Sequence, residues 1–586
     1  MFAKVLVANR GEIALRIFRT LRDMGIASVA VYSDVDRTAL PTRYADEAFA
    51  LGGSTSAESY LVVEKLLAAA ARSGAEAIHP GYGFLAENAA FARAVEDAGL
   101  AWIGPPPAAI ELMGSKTRAR QAMLEAGVPI IPGTTDPVGS ADEVRALGEE
   151  IGYPLLIKAA AGGGGKGMKV VRDATEAAEA FASAEREGQA YFADSSVYVE
   201  RYLEDPRHVE VQVLADAHGN VIHLGERDCT IQRRHQKLVE ETPSPAVDAG
   251  LRDRIGTIAV DAARAAGYRS AGTIEGLLAP DGSYYFMEMN TRIQVEHTIT
   301  ELVSGVDLVR AQLQIAAGER LQFTQDEVRL QGHAIECRIN AEDVANGFLP
   351  SPGTITVYRE PSGPGVRVDS GVEAGSVVSP LYDPMIAKLI VRGADREDAI
   401  GRMLRALGEF EIGGVKTLVG FHKALLAHPC FRAGATCHGV VESEALALQA
   451  EELSAEPALR PGGGTVERSA SVEVDGRRVS VNVLLPEPPY RELARRRRER
   501  TARRGGGAGT DLVTSPMQGT VLEVRVSEGD AVEAGQVICI VEAMKMENEV
   551  AAHAAGVIAE LGVEALQPVT IGQTICLIVP AGDGAS

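Results

Sequence analysis

The sequence has few of the residues that mark secreted and membrane proteins. Its 586 residues include six cysteines, and none of them forms a CxxC pair or a zinc-type cluster. So few scattered cysteines indicate a reduced compartment rather than a disulfide scaffold. No apolar run approaches the roughly 20 residues of a spanning helix, and the first residues, MFAKVLVANRGE, lack the features of a secretory signal. These absences predict a cytoplasmic protein without a membrane partner.

Positive charge is also scarce. The chain has 58 Lys and Arg against 80 Asp and Glu, a net charge of −22. An acidic surface repels phosphate backbones, which excludes nucleic acid as a partner of the whole chain. Residues 491–504 are the exception, with eight arginines and two glutamates. This segment is either a basic docking patch or a solvated helix and glycine-rich tether, and we favour the tether.

The composition that remains is that of a globular protein, with 46% apolar and 24% charged residues. The length allows about three to five domains. The first third alternates apolar strands (4–8, 28–32, 77–79 and 102–104) with helical patterns such as 12–24. This alternation predicts a parallel α/β sheet.

Strand patterns dominate the rest of the chain. A second region, from about residue 116, has strands at 155–159, 197–200, 209–215 and 221–226 and a hairpin at 273–278 and 284–290. A third region, from about 332, is β-rich to about 390 and helical afterwards. Beyond the break at 460–464 (RPGGG), residues 471–485 predict a hairpin with Asp475–Gly476 as its turn.

The last 75 or so residues contain an internal repeat. A shift of 37 positions places Gly519 on Gly556, Val532 on Val569 and Gly535 on Gly572. Such a repeat predicts two similar sets of strands about a pseudo-twofold axis. The segment EAMKMENEV joins the halves, so we expect an exposed turn that presents Lys545 as a nucleophilic amine between two methionines.

A glycine run follows the strand at 155–159. Its mobile backbone N–H groups suit nucleotide phosphates, with Lys158 and Lys166 to neutralise charge. It is not a Walker A loop, because Gly167 rather than Ser or Thr follows Lys166. A flexible loop without a ligand remains the alternative. The glycines are Gly162, Gly163, Gly164 and Gly165.

The hairpin at 273–290 predicts a metal site. If its turn is centred on Asp281–Gly282, Glu275 and Glu288 face each other, about 5 Å apart at Cβ. Asn290 lies on the same face as Glu288. Two facing carboxylates repel unless a cation lies between them, and this set of oxygens suits Mg²⁺ with nucleotide phosphates.

The next residues continue the polar face. Arg292, Gln294 and Glu296 alternate, which places a cation, an amide and a potential general base beside the metal. His235 and Lys237, in RRHQK, offer further cations, although this motif alone fits a surface charge run. Arg338 lies in an apolar strand, HAIECRIN. Because an unpaired buried arginine is costly, we expect it to point into a polar site.

These motifs resemble the biotin-dependent carboxylases over nearly the whole chain. The matching stretches are VLVANRGEIA, HPGYGFLAEN, GSK, IKAAAGGGGKGM, PRHVEVQV, RRHQK, EMNTRIQVEH, ECRINAED, LPSPG and EAMKMEN. The combination resembles the alpha subunit of a bacterial acetyl- or propionyl-CoA carboxylase.

The resemblance implies an α/β plus α+β multidomain architecture. We expect a parallel α/β biotin carboxylase N-terminal (pre-ATP-grasp) domain at 1–114, an ATP-grasp domain at 115–330 and a β-rich biotin carboxylase C-terminal domain at 331–448. Residues 449–510 are expected to be a linker with a hairpin and the arginine-rich tether, and 511–581 a biotinyl carrier, an all-β flattened barrel.

The resemblance also implies site roles, carried over position by position. It implies covalent biotin on Lys545, Mg²⁺ or Mn²⁺ on Glu275, Glu288 and Asn290, and Glu296 as the base for bicarbonate. Arg338 is implied to stabilise the biotin enolate. The residues implied to bind ATP are Lys116, Lys158, the glycine loop, Glu200, Leu203 and His208. Those implied at bicarbonate and carboxyphosphate are Lys237, Arg292, Gln294 and Val295, with Gln232 and His235 as further binding residues.

The implied partners follow from what the chain lacks. Only about 60 residues separate the two recognised parts, too few for an acyl transfer domain, so a separate carboxyltransferase beta subunit is implied. A biotin protein ligase and a homo-oligomer within a hetero-oligomeric complex are also implied. The acceptor implied by the resemblance is acetyl-CoA or propionyl-CoA, with 3-methylcrotonyl-CoA, a longer acyl-CoA and pyruvate as alternatives.

Three other interpretations compete with this one. They are a carrier or scaffold without ATPase activity, a carbamoyl-phosphate-forming ATP-grasp ligase, and a lipoyl carrier. The complete set of charged residues disfavours the first, and EAMKMEN disfavours the others. Two positions depart from the family pattern. Gly276 replaces a large apolar residue and Thr298 replaces proline, and we expect both to loosen packing near the metal.

Overall fold

The computed structural model describes residues 1–134, 136–159, 168–192, 196–455, 465–474, 477–486, 512–543 and 546–579. The chain divides into two compact units, Met1–Ser454 and Ala455–Ser586. Four predicted features lie outside the described residues: Gly162–Gly165, the Asp475–Gly476 turn, the segment 491–504 and Lys545. None of the helices in the described ranges combines the length and apolar character needed to cross a membrane.

The N-terminal region is the predicted parallel α/β layer. Its elements are β1 (Lys4–Val7), α1 (Gly11–Asp23), β2 (Ala27–Tyr32), α2 (Leu40–Tyr44), β3 (Glu47–Ala50), α3 (Val63–Ser73), β4 (Ala77–His79), α4 (Ala89–Asp97), β5 (Ala101–Trp102) and α5 (Pro107–Gly114). The strand order is β3-β2-β1-β4-β5, all parallel. Val5 and Val7 pack in one core and Leu6 in another, because helices cover both faces.

A small antiparallel sheet carries the strand that precedes the glycine loop. The elements here are α6 (Lys116–Glu125), α7 (Ala141–Ile151), β6 (Leu155–Ala159), β7 (Met168–Val171), α8 (Ala177–Phe192) and β8 (Val197–Arg201). The strand order is β7-β6-β8. Leu155 and Ile157 on β6 are buried in one core with Val144 and Phe181, and Lys158 lies on the opposite face of the strand.

An eight-stranded antiparallel sheet forms the centre of the first unit. The stretch of chain that supplies its first five strands contains β9 (Arg207–Ala215), β10 (Val221–Arg233), β11 (Gln236–Thr242), α9 (Ala249–Ala265), β12 (Ser270–Leu278), β13 (Tyr284–Asn290), α10 (His297–Ser304) and α11 (Leu308–Ala316). The strand order is β13-β12-β9-β10-β11, and three further strands from the third region continue it.

The third region extends that sheet. Its elements are β14 (His333–Asn340), β15 (Glu342–Asp343), β16 (Leu349–Pro350), β17 (Gly353–Thr354), β18 (Val357–Arg359), β19 (Val366–Ser370), β20 (Val377–Val378), β21 (Met385–Gly393), α12 (Arg396–Glu409), β22 (Glu411–Gly413), α13 (Val419–Ala427), α14 (Pro429–Arg432) and α15 (Glu444–Ala455). Strand β14 pairs with β11, and β21 and β19 follow. One hydrogen-bonded ladder therefore continues across the boundary predicted at residues 330 and 331.

The second unit contains a hairpin and a domain of two sheets, which occupies the residues predicted for the carrier and is called the carrier below. The hairpin is β23 (Thr465–Val474) and β24 (Arg477–Pro486), with Val474 opposite Arg477. The carrier strands are β25 (Leu512–Thr514), β26 (Gly519–Val524), β27 (Ala531–Val532), β28 (Val537–Ala543), β29 (Met546–Ala551), β30 (Gly556–Leu561), β31 (Pro568–Val569) and β32 (Thr574–Val579).

The carrier confirms the predicted repeat. Its sheets, β25-β32-β30-β27 and β29-β28-β26-β31, have the same order once each strand is replaced by its repeat counterpart. Strands β26 and β30 begin 37 positions apart, as the sequence repeat requires. Strands β28 and β29 of the joining segment pair with each other, with Ala543 opposite Met546.

Candidate functional site

The hairpin β12–β13 brings two acidic side chains together. Glu275 lies opposite Glu288, and Thr273 lies opposite Asn290, as the count from the turn predicts. The register shifts by one residue at Met287, so the facing pairs nearer the turn differ from that count. Burial and the carboxylate of Glu275 raise the pKa of Glu288. Two carboxylates and the amide oxygen of Asn290 are the ligand types that Mg²⁺ or Mn²⁺ prefers, so the set fits such a cation.

Lys237 is the charged centre of the site. Its Nζ donates to Glu210 Oε2 at 2.6 Å, to Glu296 Oε1 at 2.7 Å and to Glu275 Oε1 at 2.9 Å. Burial alone lowers the pKa of this lysine, but the surrounding carboxylates raise it well above its usual value. Lys237 therefore stays protonated and can bind an anion.

Lys237 reaches this position because β11 contains a bulge. Ile231 pairs with Val239 and Gln232 pairs with Lys237, so Leu238 is an extra residue on β11. A bulge reverses the alternation of faces. Lys237 and Glu240 consequently share a face, although strict alternation would place them on opposite faces.

Glu296 connects Lys237 to Arg338. It immediately precedes α10, and its Oε2 accepts from Arg338 Nη2 at 2.9 Å. Burial alone raises the pKa of Glu296, but Lys237, Arg338 and Arg227 hold it well below its usual range. Glu296 is therefore ionised. It can act as a base only after an anion that enters the site has replaced some of the cationic contacts of the Glu296 carboxylate.

The metal-side polar groups form one network. Glu275 Oε1 also accepts from Gln294 Nε2 at 2.6 Å and from Asn290 Nδ2 at 2.7 Å, and His208 Nε2 lies 2.7 Å from Glu275 Oε2. Burial alone raises the pKa of Glu275, but Lys237 and His208 lower it strongly. Arg292 joins the network through Asn290 Oδ1 at 2.8 Å.

Sequence reasoning missed the buried residues that hold this network. Arg227 is fully buried and uses every N–H group of its guanidinium. It donates to Glu210 (2.5 Å), Gln294 (2.6 Å), Gln212 (2.8 Å), Thr300 (3.0 Å) and Thr273 (3.1 Å). Glu240, also buried, accepts from Arg338 Nε at 2.6 Å, and Glu87, an exposed residue, accepts from Arg292 Nε at 3.1 Å. The sequence signal that could have identified Arg227 and Glu240 is a charged residue within a predicted strand, which is how Arg338 was identified.

The other predicted binding residues lie around this network. Lys158 on β6 forms an ion pair with Glu200 on β8. Lys116 is the first residue of α6, and its charge lowers the pKa of Glu288. Val295 accepts through its backbone oxygen from Lys388 Nζ at 2.6 Å.

Three predicted residues lie before or within turns. Leu203 precedes β9. Gln232 Nε2 donates to the backbone oxygen of Cys229 at 2.8 Å. His235 is exposed in the β10–β11 turn with a φ of 64°. None of these three has a hydrogen bond to the Lys237–Glu296 cluster among the described contacts.

The structure corrects the expectation for the two departures from the family pattern. A Cβ at Gly276 would lie 2.3 Å from Tyr284 Cζ, so the tyrosine ring already fills the space. Thr298 is fully buried and its hydroxyl donates to the carboxylate of Glu336. Both sites are therefore packed rather than loosened.

Comparisons with known proteins cover both units. The family models that match are "Biotin carboxylase, N-terminal domain" at residues 1–110, "Carbamoyl-phosphate synthase L chain, ATP binding domain" at 115–324, "Biotin carboxylase C-terminal domain" at 336–443 and "Biotin-requiring enzyme" at 511–578. The biotin-dependent acyl-coenzyme A carboxylase alpha3 subunit of Mycobacterium leprae is 50% identical over 590 residues, 98% of each chain. The biotin carboxylase of a Nostoc strain is 55% identical over 74% of this chain and 97% of its own.

Solved structures match the first unit. A biotin carboxylase complex from Campylobacter jejuni is 46% identical with a TM-score of 0.70, over 75% of this chain and 98% of that chain. The biotin carboxylase domain dimer of 2-oxoglutarate carboxylase from Hydrogenobacter thermophilus, in complex with MgADP, ADP and bicarbonate, is 48% identical with a TM-score of 0.69. That match covers 75% of this chain and 97% of that one.

Proposed function

The chain belongs to the biotin-dependent carboxylases, as a biotin carboxylase joined to a biotinyl carrier, and from this premise we propose how its residues share the work. The enzyme carboxylates biotin with ATP and bicarbonate as the alpha subunit of an acyl-CoA carboxylase. The observation that carries the residue assignment is the buried cluster in which Lys237 and Arg338 both bind Glu296. It lies one contact away from Glu275 of the metal set.

Bicarbonate is a poor electrophile, and phosphorylation by ATP activates it. We assign its deprotonation to Glu296, and its orientation to Lys237, Arg292, Gln294 and the backbone of Val295. Lys116, Lys158, His208 and the Gly162–Gly165 loop are assigned to ATP, with Glu200 and Leu203 at the base. Carboxyphosphate then breaks down to CO₂ and phosphate. Gln232 and His235 border this region.

The metal ligands we propose are Glu275, Glu288 and Asn290. When bound, Mg²⁺ or Mn²⁺ offsets phosphate charge in the phosphoryl transfer. Biotin, which we assign to Lys545, supplies the nitrogen that receives the carboxyl group. Arg338 holds the negative charge that develops during that transfer, because its guanidinium is fixed between Glu240 and Glu296.

The test of this assignment is bicarbonate-dependent ADP release by the full chain with free biotin. Replacing the base, Glu296→Gln, should lower turnover about 10²- to 10⁴-fold, the usual contribution of a general base. Glu64→Gln, an exposed glutamate of α3, is the matched control and should keep wild-type turnover. Wild-type protein without bicarbonate-dependent ADP release would contradict the function. Full activity in Glu296→Gln would contradict the residue role.

The attachment site needs a separate test. An avidin blot of protein from a biotin-replete host should detect the full chain and lose the signal in Lys545→Ala. The signal in the wild-type chain also distinguishes biotin from lipoate, which avidin does not bind. A signal that survives in Lys545→Ala would place the modification on another residue, and modification itself implies a biotin protein ligase as a transient partner.

We infer that the acceptor is acetyl-CoA or propionyl-CoA and that it binds a separate carboxyltransferase beta subunit. The Mycobacterium leprae relative, named as an acyl-CoA carboxylase subunit, matches 98% of this chain, while the pyruvate and 2-oxoglutarate carboxylase proteins match 74–78%. We propose that the hairpin β23–β24 contributes to this cytoplasmic hetero-oligomer. Deleting residues 465–490 should abolish co-purification of the partner and spare ATP turnover with free biotin. Retained association would refute the role of the hairpin.

A further inference from the structure

Glu240, which holds Arg338, faces two buried groups that have no part in the reaction described above, Glu336 and its hydrogen-bond donor Thr298. Glu240 on β11 and Glu336 on β14 are paired directly across the two strands, and neither is exposed to solvent. Thr298 on α10, also fully buried, donates its hydroxyl to Glu336 Oε2. Facing carboxylates on neighbouring strands repel when both are ionised.

Each of the two carboxyls has one unsatisfied oxygen. Glu240 Oε1 accepts from Arg338, whereas Glu240 Oε2 has no hydrogen-bond partner among the described residues. Glu336 Oε2 accepts from Thr298, and Glu336 Oε1 is likewise without a partner in the described part of the chain. Buried acceptors without a donor are rare and need an explanation. A proton on Glu336 Oε1 supplies this facing pair of carboxyls with the donor that it lacks.

Burial, opposed in part by the neighbouring cations, favours a single negative charge on the pair. The titratable groups that interact electrostatically with it are Arg338 on β14, Lys388 on β21, Lys237 on β11, Glu296 before α10, and the buried thiols of Cys229 and Cys337, of which Cys337 lies on the other face of β14. Lys388 directs its Nζ to the backbone oxygen of Val295 rather than to Glu336. Burial is the main cause that raises the pKa of Glu240 to about 7 and that of Glu336 to about 8. The carboxylate of Glu296 adds to the rise for Glu240, and the carboxylate of Glu240 adds to the rise for Glu336.

We propose that Glu336 and Glu240 share one proton, that the Thr298 hydroxyl holds Glu336 in the orientation this requires, and that the pair positions Arg338 for the carboxylation reaction. The inference rests on the proposed function of Arg338. Arg338 divides its hydrogen bonds between Glu240 and Glu296. Loss of the shared proton to solvent doubles the charge on the pair and draws the guanidinium towards Glu240. Glu336 and Thr298 are thus positioning residues.

The first test is independent of activity. Infrared spectra of the full chain near neutral pH should contain a protonated carboxyl C=O band that is absent from Glu336→Gln. The substitution is nearly isosteric, and its amide N–H can replace the shared proton. Absence of any difference band between the two proteins would overturn the proposal, whatever the enzyme does.

The second test is the pH profile of bicarbonate-dependent ADP release with free biotin. In Thr298→Val, loss of the donor lets Glu336 keep its proton to higher pH, so the alkaline decline should shift upward by about half a unit to one unit. Thr298→Ser keeps the hydroxyl and should restore the wild-type profile. Glu336→Gln should lose the decline that belongs to the pair.

The outcomes separate the two hypotheses. Identical pH profiles in wild type, Thr298→Val and Glu336→Gln would overturn the positioning role. A full chain that shows the infrared band but releases no bicarbonate-dependent ADP would contradict the proposed function and leave the shared proton supported.

Discussion

At the scale of single residues, buried ion pairs connect the N-terminal layer to the central sheet. Arg16 on α1 donates to Glu301 on α10 at 2.6 Å and to Asp307 at 2.8 Å. Glu301 also accepts from Arg367 at 2.8 Å, and Arg367 makes two hydrogen bonds to Asp369. Removing one partner of a buried network leaves an uncompensated charge. Loss of any one of these residues should therefore destabilise the fold more than loss of an exposed ion pair.

We predict that Asp369→Asn destabilises the first unit and flattens its acid unfolding. Burial alone raises the pKa of Asp369, but Arg367 lowers it strongly in the folded state. A carboxyl with a depressed folded pKa contributes stability above its unfolded pKa, about 3.9, and that stability is lost as the pH falls through the folded value. At pH 7 the substitution should cost about 2–4 kcal/mol.

The measurement is thermal unfolding of the full chain at pH values from 3 to 7. The quantity compared is the midpoint temperature of the first unfolding transition. The wild-type midpoint should fall more steeply below about pH 4 than that of Asp369→Asn. Asp142→Asn removes an exposed pair with Arg145 and should shift stability by less than about 0.5 kcal/mol. Equal acid slopes in wild type and Asp369→Asn would show that this pair does not control acid stability.

At the scale of elements, the carrier repeat contains one asymmetric turn. Gly529 has a φ of 91°, and its counterpart 37 positions later is Leu566, with a φ of 67°. Conformational strain in this left-handed region costs leucine about 1–2 kcal/mol, whereas glycine adopts the same region almost without strain. Leu566 is also 76% exposed, so little packing offsets this strain.

Replacing Leu566 with asparagine should therefore stabilise the carrier by about 0.5–1 kcal/mol, because asparagine tolerates the left-handed region. Hydrogen–deuterium exchange of the β30 and β32 amides in the full chain would measure the change. Ile571→Asn is the control, since Ile571 is 72% exposed but lies outside that region. A larger gain in Ile571→Asn would attribute the effect to lost surface hydrophobicity rather than to relieved strain.

The local sequence pattern predicted the positions of helices and strands better than it predicted which face of a strand each side chain occupies. Counting from a turn centred between Asp281 and Gly282 placed Glu275 opposite Glu288 correctly only because of the bulge. The pairs nearest the turn are centred on Asp281, and the extra residue Met287 shifts the register to the predicted one at Glu275. Apolar alternation could not reveal the bulge at Leu238, which brings Lys237 onto the face of Glu240. Arg227 also escaped prediction, since its partners Thr273, Gln294 and Thr300 come from a strand, a connecting segment and a helix that are distant from it in the sequence. The contacts between distant strands were therefore the part that sequence could not supply.

At the scale of the whole molecule, the two units belong to one chain. The effective concentration of the carrier at the first unit therefore depends on the length and stiffness of the segment that connects them. Flexible connections of modest length give values on the order of millimolar. Expressing 1–455 and 456–586 as separate chains should make carboxylation of the biotinylated carrier depend on its concentration. At micromolar protein the rate should fall about 10²-fold or more.

Turnover of free biotin is the control for the divided protein. The fragment 1–455 contains every residue assigned to ATP and bicarbonate, so its activity with free biotin should match that of the full chain. Equal rates of carrier carboxylation in the divided and intact proteins would show that the two units bind each other tightly without their covalent connection.

The ladder that joins β11 to β14 limits how the protein can be dissected. A fragment that stops at residue 330 lacks β14, and it leaves β11 with a row of unpaired N–H and C=O groups. Such an open border is a template for other copies of the fragment, so the product should aggregate during expression. Anyone who trims this polypeptide for crystallisation or engineering should keep β14, β21 and β19 with the nucleotide-binding half.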